Sequence, residues 1–156
     1  IMSILEKLFL EQISLNSETS SCSYVKSRKT QKKKGIFNQM MSIEYMSAIN
    51  LSTFSELKYP SFQKDVERLE KTLEIVKNTD ERLTSCYVRS LFILVEDDMR
   101  VIIKELERTA ESTSEETLKT SLLESLDSYK KLLARSEELE LAFIPYLFCP
   151  AMEREC

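Results

Sequence analysis

Residues 81–110 read ERLTSCYVRSLFILVEDDMRVIIKELERTA, and this stretch decides the fold class. Its apolar side chains recur at helical spacing and occupy more than one face of the helix. They are Tyr87, Val88, Leu91, Phe92, Leu94, Val95, Met99, Ile102, Ile103 and Leu106. A helix that is apolar on several sides is contacted by neighbours on several sides. We therefore expect a central helix of a bundle over roughly residues 81–110.

Two amphipathic segments flank this central helix. Before it, apolar residues follow alternating steps of four and three at Phe62, Val66, Leu69, Leu73 and Val76, the spacing of a helix packed along a neighbour. After it, they recur at Leu118, Leu122, Leu126, Tyr129 and Leu133. The seam of residues 62–76 is expected to face the core of this chain rather than a coiled-coil partner.

The connections between these segments also favour helices. The link ESTSEE, residues 111–116, contains two overlapping capping boxes, Ser112-x-x-Glu115 and Thr113-x-x-Glu116, and a link this short implies antiparallel neighbours. Pro60 forces the residue before it out of helical geometry, which predicts a break between a short helix beginning near residue 39 and the longer one that follows.

The first forty residues differ in character from the rest of the chain. Residues 1–15 carry apolar positions at helical spacing behind the capping box Ser3-x-x-Glu6, which predicts an amphipathic helix. Residues 16–38 are rich in Ser, Thr and like charges, which predicts a disordered, flexible basic linker. With the remainder, 39–156, as the bundle and its apolar C-terminal tail, the fold class is all-α, a helical bundle of four to five helices.

Composition excludes most familiar catalytic sites. The chain has one glycine, Gly35, and no histidine. Loops that cradle phosphates need several closely spaced glycines, and the common nucleophile pairs and di-metal helical sites need histidine. We expect no enzymatic activity, no cofactor and no small-molecule substrate.

The four cysteines, Cys22, Cys86, Cys149 and Cys156, form no Cys-x-x-Cys pair of the kind that zinc sites use. Cys86 lies in an apolar helical stretch and is interpreted as a buried free thiol, although the even number of cysteines leaves a disulfide framework open.

Residues 1–12 do not have the pattern of a signal peptide, because charged residues interrupt their apolar positions. The longest uncharged apolar run, residues 141–152, is too short to cross a bilayer. We expect an intracellular protein without a membrane partner.

The triplet Glu96-Asp97-Asp98 lies inside the central helix. Carboxylates can bind a divalent cation, but successive helix positions fan out by about 100° each, so three neighbours cannot all point into one pocket. The expected arrangement is a surface pair between Asp97 and Arg100, with Asp98 able to contact a partner or another helix.

Charge is distributed unevenly. Residues 26–34, KSRKTQKKK, carry six positive charges and no negative one, whereas residues 35–156 hold a net charge of −8. The six cations are Lys26, Arg28, Lys29, Lys32, Lys33 and Lys34. Such a run serves as a nuclear-import signal, a phosphate contact for nucleic acid, or a solvated linker. A nuclear location and nucleic-acid contact are both predictions from this run.

The C-terminal apolar segment follows the last long helix, and Pro145 and Pro150 prevent it from extending that helix. Its large apolar residues are Leu141, Phe143, Ile144, Tyr146, Leu147 and Phe148. They either fold back over the bundle or form an exposed patch that a partner chain covers. We take these six residues as the candidate partner-binding surface.

Three segments together resemble the helical domain of GINS complex subunits, components of the eukaryotic replicative helicase. They are SELKYPSFQKDVERLEKTLEIV (55–76), ERLTSCYVRSLFILVEDDMRVIIKELE (81–107) and LLESLDSYKKLLARS (122–136). The resembling features are the Glu81-Arg82 start of the central helix, the acidic break after it and Tyr129 in the last helix. The family also carries a small β-rich domain, for which this sequence shows no strand pattern. The resemblance implies a non-enzymatic nuclear scaffold packed against sister subunits in DNA replication.

The expected function is therefore a non-catalytic interaction or scaffold subunit of a multiprotein hetero-oligomer. One alternative is a helical nucleic-acid-binding module that uses residues 26–34. A second alternative is a small helical signalling or immune-modulating protein that binds a partner helix in a groove.

Overall fold

The computed structural model describes residues 42–148, and within that range three long α-helices form one bundle. They are α1 (Ala48–Lys77), α2 (Ser85–Ser112) and α3 (Glu116–Phe143). Short 3₁₀ turns lie at Ser42–Tyr45 and Ile144–Tyr146, and two-residue strands β1 (Leu83–Thr84) and β2 (Leu147–Phe148) pair in parallel. The all-α class is confirmed. The predicted helix at 1–15 and the linker at 16–38 lie outside the described residues.

The number of helices is three in the described range rather than four to five, because α1 continues through Pro60. The predicted break is wrong for a physical reason. Both sides of the proline bury side chains in the same core, Leu51 and Ser55 before it and Phe62 after it. The missing N–H of Pro60 leaves the carbonyl oxygen of Glu56 without its helical donor, and one residue earlier the hydroxyl of Tyr129 on α3 donates a 2.6 Å hydrogen bond to the carbonyl oxygen of Ser55. Packing of one long amphipathic face outweighs the local preference against an internal proline.

The helix α2 is the most buried of the three, as its apolar pattern on several faces predicts. Its buried side chains cover about 280° of its circumference at 100° per residue, from Cys86 through Leu94 and Val95 to Glu96. Each of the three helices packs against the other two. The seam of residues 62–76 on α1 is entirely buried in this core, so it faces the chain's own bundle.

The turn between α2 and α3 is short, as predicted, but its cap differs from both predicted capping boxes. The hydroxyls of Ser112 and Thr113 donate to the carbonyl oxygen of Thr109, at 3.2 and 2.6 Å, and so continue the end of α2. The cap of α3 is Glu115, whose carboxylate accepts hydrogen bonds from the backbone N–H groups two and three residues later. Glu116 follows it in the first turn, where negative charge is favourable.

The C-terminal segment returns to the start of α2. Leu147 lies opposite Leu83, and Phe148 lies opposite Thr84, in the parallel β1–β2 pair. No strand was expected here, because two residues are too short to show alternation. No helix in residues 42–148 has both the length and the apolar character needed to cross a membrane.

Cys86, two residues after β1, is buried and disulfide-bonded, so its interpretation as a free thiol is wrong. The other three cysteines of the chain lie outside the described residues. Their spacing in the sequence does not reveal which of them approaches Cys86, because that is decided by the way the chain returns to this end of the bundle.

Candidate partner-binding groove

The six residues predicted to bind a partner divide into exposed and buried groups. Leu141, Ile144 and Phe148 are 66, 58 and 55% exposed. Phe143 is fully buried, and its ring packs edge-to-face on Phe92 with 5.7 Å between centroids. It belongs to the core and is not available to a partner.

Tyr146 and Leu147 are partly buried against the core, and the guanidinium of Arg82 lies 5.7 Å from the centre of the Tyr146 ring. Leu147 also pairs through β2 with β1. We use the name C-terminal surface for Leu141, Ile144, Leu147 and Phe148. Leu141 lies in the last turn of α3, Ile144 lies between the core residue Phe143 and the strand pair, and Leu147 and Phe148 form β2.

A groove with a volume of about 570 Å³ lies beside this surface, between α2, the end of α3 and the segment after it. One part of its lining is apolar, with Val88 on α2 and Leu141, Ile144 and Leu147 from the C-terminal surface. The other part is charged, with Arg89, Glu96 and Arg100 on α2 and Glu137 and Glu140 on α3. Because α2 and α3 run antiparallel, the start of α2 and the end of α3 meet at the apolar part.

The charged part is organised around Arg100. Its guanidinium pairs with Glu96 at 3.2 Å, with Asp97 at 3.4 Å and with Glu137 on α3 at 3.1 Å. Glu96 is almost fully buried and also accepts a 2.7 Å hydrogen bond from the hydroxyl of Ser136. Burial raises the pKa of Glu96, while the Ser136 hydrogen bond and the charge of Arg100 act in the opposite direction. This network joins the middle of α2 to α3 on one wall of the groove.

Glu140 is the carboxylate of the groove that this network does not include. It is half-buried, and within residues 42–148 no hydrogen bond or ion pair is made to it. Burial raises its pKa, the negative charge of Glu96 raises it further, and the charge of Arg89 opposes both. A positive charge close to Glu140 therefore stabilises the ionised form of its carboxylate.

Ser85 lines the apolar part of the groove and is 6% exposed. Its hydroxyl oxygen is buried without a hydrogen-bond partner, and the same is true of the neighbouring Thr84 hydroxyl. A buried hydroxyl that makes no hydrogen bond is an unfavourable arrangement, worth about 1–3 kcal/mol. Because this oxygen is buried, it is not a contact that the groove offers to a bound chain.

The acidic triplet of α2 is split among three environments, as the helical geometry requires. Glu96 is in the groove wall, and Asp97 forms the expected surface pair with Arg100 at 3.4 Å. Asp98 is buried at 7% exposure on another side of the helix. Residues 42–148 contain no group of three metal-ligating side chains placed to hold an ion.

The sequence pattern does not single out Ser85, Glu137 or Glu140, and it indicates Glu96 and Arg100 only as members of the acidic triplet and its surface pair, not of a groove. The available signals were the Glu96–Arg100 spacing of four on α2 and the Glu137–Glu140 spacing of three on α3, just before Leu141. Neither spacing shows that the two helices bring these charges together. The predicted basic run at 26–34 lies outside the described residues.

Comparisons with protein-family models, with curated proteins and with solved structures found no match to this chain.

Proposed function

We propose that this chain is a non-catalytic interaction protein, a subunit of a larger assembly that binds a partner chain through the C-terminal surface. The observation that supports this most directly is the exposure of Leu141 and Ile144 in the lining of one groove, with Phe148 exposed on the same segment outside that lining. Contiguous exposed apolar side chains beside a concave surface are typical of protein interaction sites. Each aliphatic or aromatic side chain that a partner buries contributes about 1.5–3 kcal/mol if its burial is complete.

The attachment of the segment strengthens this proposal. Phe143 is anchored against Phe92 in the core, and Leu147 is paired to Leu83. Ile144 lies between these anchors and Leu141 lies on α3 itself, so both exposed side chains belong to a fixed part of the surface. A rigid apolar surface loses less conformational entropy on binding than a free tail does.

The shape of the groove favours a helical partner segment. It runs along two antiparallel helices, and an added helix packs naturally into the furrow between two others. This arrangement serves a scaffold subunit and a small signalling protein equally well. A scaffold subunit would co-purify with several folded chains, whereas the signalling protein would bind one short amphipathic segment.

Membership of the GINS complex stays a proposal that the sequence resemblance motivates, and its test is co-purification with the sister subunits of the replicative helicase. Nucleic-acid binding by the run that begins at Lys26 is a separate proposal. It predicts an affinity that falls steeply with salt and disappears when the six cations are changed to glutamine.

An intracellular, nuclear location also stays a proposal. The disulfide at Cys86 is the observation that opposes it, because disulfides are rare in reducing compartments. Alkylation of the chain immediately on isolation from its cells, followed by mass measurement of the Cys86 peptide, distinguishes the two environments.

The test of the interaction proposal compares Ile144→Asp with Leu57→Asp in the full chain. Both side chains are exposed, at 58 and 74%, but Leu57 lies on α1, away from the groove. In extracts of the native source, the wild-type chain is expected to elute in an assembly larger than its own 18.2 kDa. Ile144→Asp should shift it to the monomer position, and Leu57→Asp should leave it in the assembly. Elution of the wild type as a monomer, or of Ile144→Asp with the assembly, contradicts the proposal.

A further inference from the structure

The chemistry of the groove also specifies the kind of segment that fits it. On α2 the lining runs from Ser85 to Arg100, a rise of about 22 Å, which is roughly four helical turns. Along this length the wall changes from apolar at the start of α2 to charged near its middle. A segment that matches it is about twelve to fifteen residues long, with apolar side chains toward one end and a complementary charge further along.

The sign of that charge follows from the pairing of the groove's own residues. Arg100 is already shared among Glu96, Asp97 and Glu137, so its positive charge is satisfied within the chain. The Glu140 carboxylate makes no ion pair within residues 42–148, although the charge of Arg89 acts on it, and it borders the apolar part through its neighbour Leu141. The charged lining holds two arginines, Arg89 and Arg100, against the three carboxylates of Glu96, Glu137 and Glu140, so its net charge is negative and favours an added cation over an added anion.

We propose that the groove binds a short amphipathic segment of a partner protein, with a lysine or arginine of that segment on Glu140 and its apolar side chains on the C-terminal surface. This inference rests on the proposed function and adds the chemistry of the partner. Glu140 is the anchoring carboxylate, and Ile144 is the central apolar contact.

A second concave area allows a matched control. It has a volume of about 510 Å³ and is lined by Glu67, Glu70, Lys71, Leu73, Glu74 and Leu139. It is also acidic, but its two leucines are buried in the core, at 5 and 8% exposure. It offers negative charge without exposed apolar contacts. A purely electrostatic attraction of basic peptides would use both areas, whereas the proposed recognition uses only the groove.

The experiment selects binders from a phage-displayed library of random twelve-residue peptides on the full-length chain. The affinity of synthetic copies of the selected peptides is then measured by fluorescence anisotropy for the wild type and four variants. Glu140→Gln removes the anchoring charge, and Ile144→Glu removes the apolar contact. Glu67→Gln/Glu74→Gln removes two charges from the control area, and the fourth variant changes the six cations of residues 26–34 to glutamine. Thermal unfolding followed by circular dichroism confirms that each variant is folded.

The expected result is a set of peptides that carry Lys or Arg beside aliphatic residues. Their affinity should fall about tenfold or more on Glu140→Gln, which removes a charge-assisted contact, and similarly on Ile144→Glu. It should be unchanged on Glu67→Gln/Glu74→Gln. Peptides that lose affinity on Ile144→Glu but not on Glu140→Gln overturn the cation inference and leave the proposed function in place.

If the selected peptides bind the Ile144→Glu variant with the same affinity as the wild type, both proposals are overturned. Both are also overturned if no peptide is selected on either the wild type or the variant that lacks the six cations. If peptides are selected only when the six cations are absent, the chain's own residues 26–34 occupy the groove, which overturns the assignment to a partner protein.

Discussion

Replacing Tyr129 with phenylalanine tests the explanation of how α1 continues past Pro60. The substitution removes only the hydroxyl, which donates the buried 2.6 Å hydrogen bond to the Ser55 carbonyl oxygen. Burial raises the pKa of Tyr129 well above its usual value, so the hydroxyl keeps its proton, and remains a donor, throughout the working pH range. The ring is retained, with its edge-to-face contacts to Tyr59 at 5.3 Å and Phe62 at 5.9 Å.

The expected cost is about 0.5–1.5 kcal/mol, because the Ser55 carbonyl oxygen loses one buried donor. For a chain of 156 residues, each kcal/mol lowers Tm by about 2–4 °C. Urea denaturation of wild-type and Tyr129→Phe chains measures the difference in the free energy of unfolding. Tyr45→Phe is the matched control, since that side chain is 87% exposed. A loss below about 0.5 kcal/mol for Tyr129→Phe, or an equal loss for both variants, would refute the account of α1.

Three further predictions follow from buried groups elsewhere in the bundle. Burial raises the pKa of Asp65 to about 6 against the opposing charge of Arg68. Between about pH 4 and pH 6 the folded state therefore binds more protons than the unfolded state. The free energy of unfolding consequently falls as pH rises through this window. Asp65→Asn should therefore stabilise the chain at pH 7, by up to about 3 kcal/mol. It should also flatten the dependence of the urea midpoint on pH between 4 and 7. An unchanged pH dependence would show that Asp65 does not cause the loss of stability in this window. Phe143→Ala should cost about 3–5 kcal/mol in urea denaturation, because the ring is fully buried on Phe92, and a loss under 1 kcal/mol would place it outside the core. Peptide mapping without reduction should link Cys86 to Cys149, since residue 149 directly follows the β2 strand paired beside Cys86; a link from Cys86 to another cysteine would contradict this assignment.

The helical class and the extensive burial of α2 could be predicted from the sequence, because burial on several sides leaves apolar residues such as Leu91, Phe92 and Val95 on more than one face. The seam from Phe62 to Val76 was equally informative, since its spacing directly reports one buried face. These patterns are local and need no knowledge of how the chain folds back.

The errors in the prediction have the opposite origin. Pro60 has a strong local preference against a helix interior, and only the contact from Tyr129, seventy-four residues from Ser55, shows how the helix passes it. The hydroxyls of Ser112 and Thr113 could cap either α3 or the end of α2, and the geometry of the turn chose the latter. Local chemistry leaves such choices open, and tertiary structure decides them.

The candidate site was predictable only in part. Apolar character and two prolines identified the segment from Leu141 to Phe148, but they could not separate buried Phe143 from exposed Ile144. The charged wall of the groove arises where α2 and α3 meet, with Arg100 joined to Glu137 across the two helices. A pairing between residues thirty-seven positions apart leaves no periodic signal in the sequence.

The central claim is that a partner protein contacts the C-terminal surface, and site-specific photocrosslinking tests it most directly. A photoreactive amino acid is placed at Ile144 in one full-length chain and at Leu57 in another, both exposed in the bundle. Irradiation in the native source is expected to give a discrete crosslinked product with a protein chain from position 144 and none from position 57. Absence of a product from position 144, or the same product from both positions, would contradict the claim.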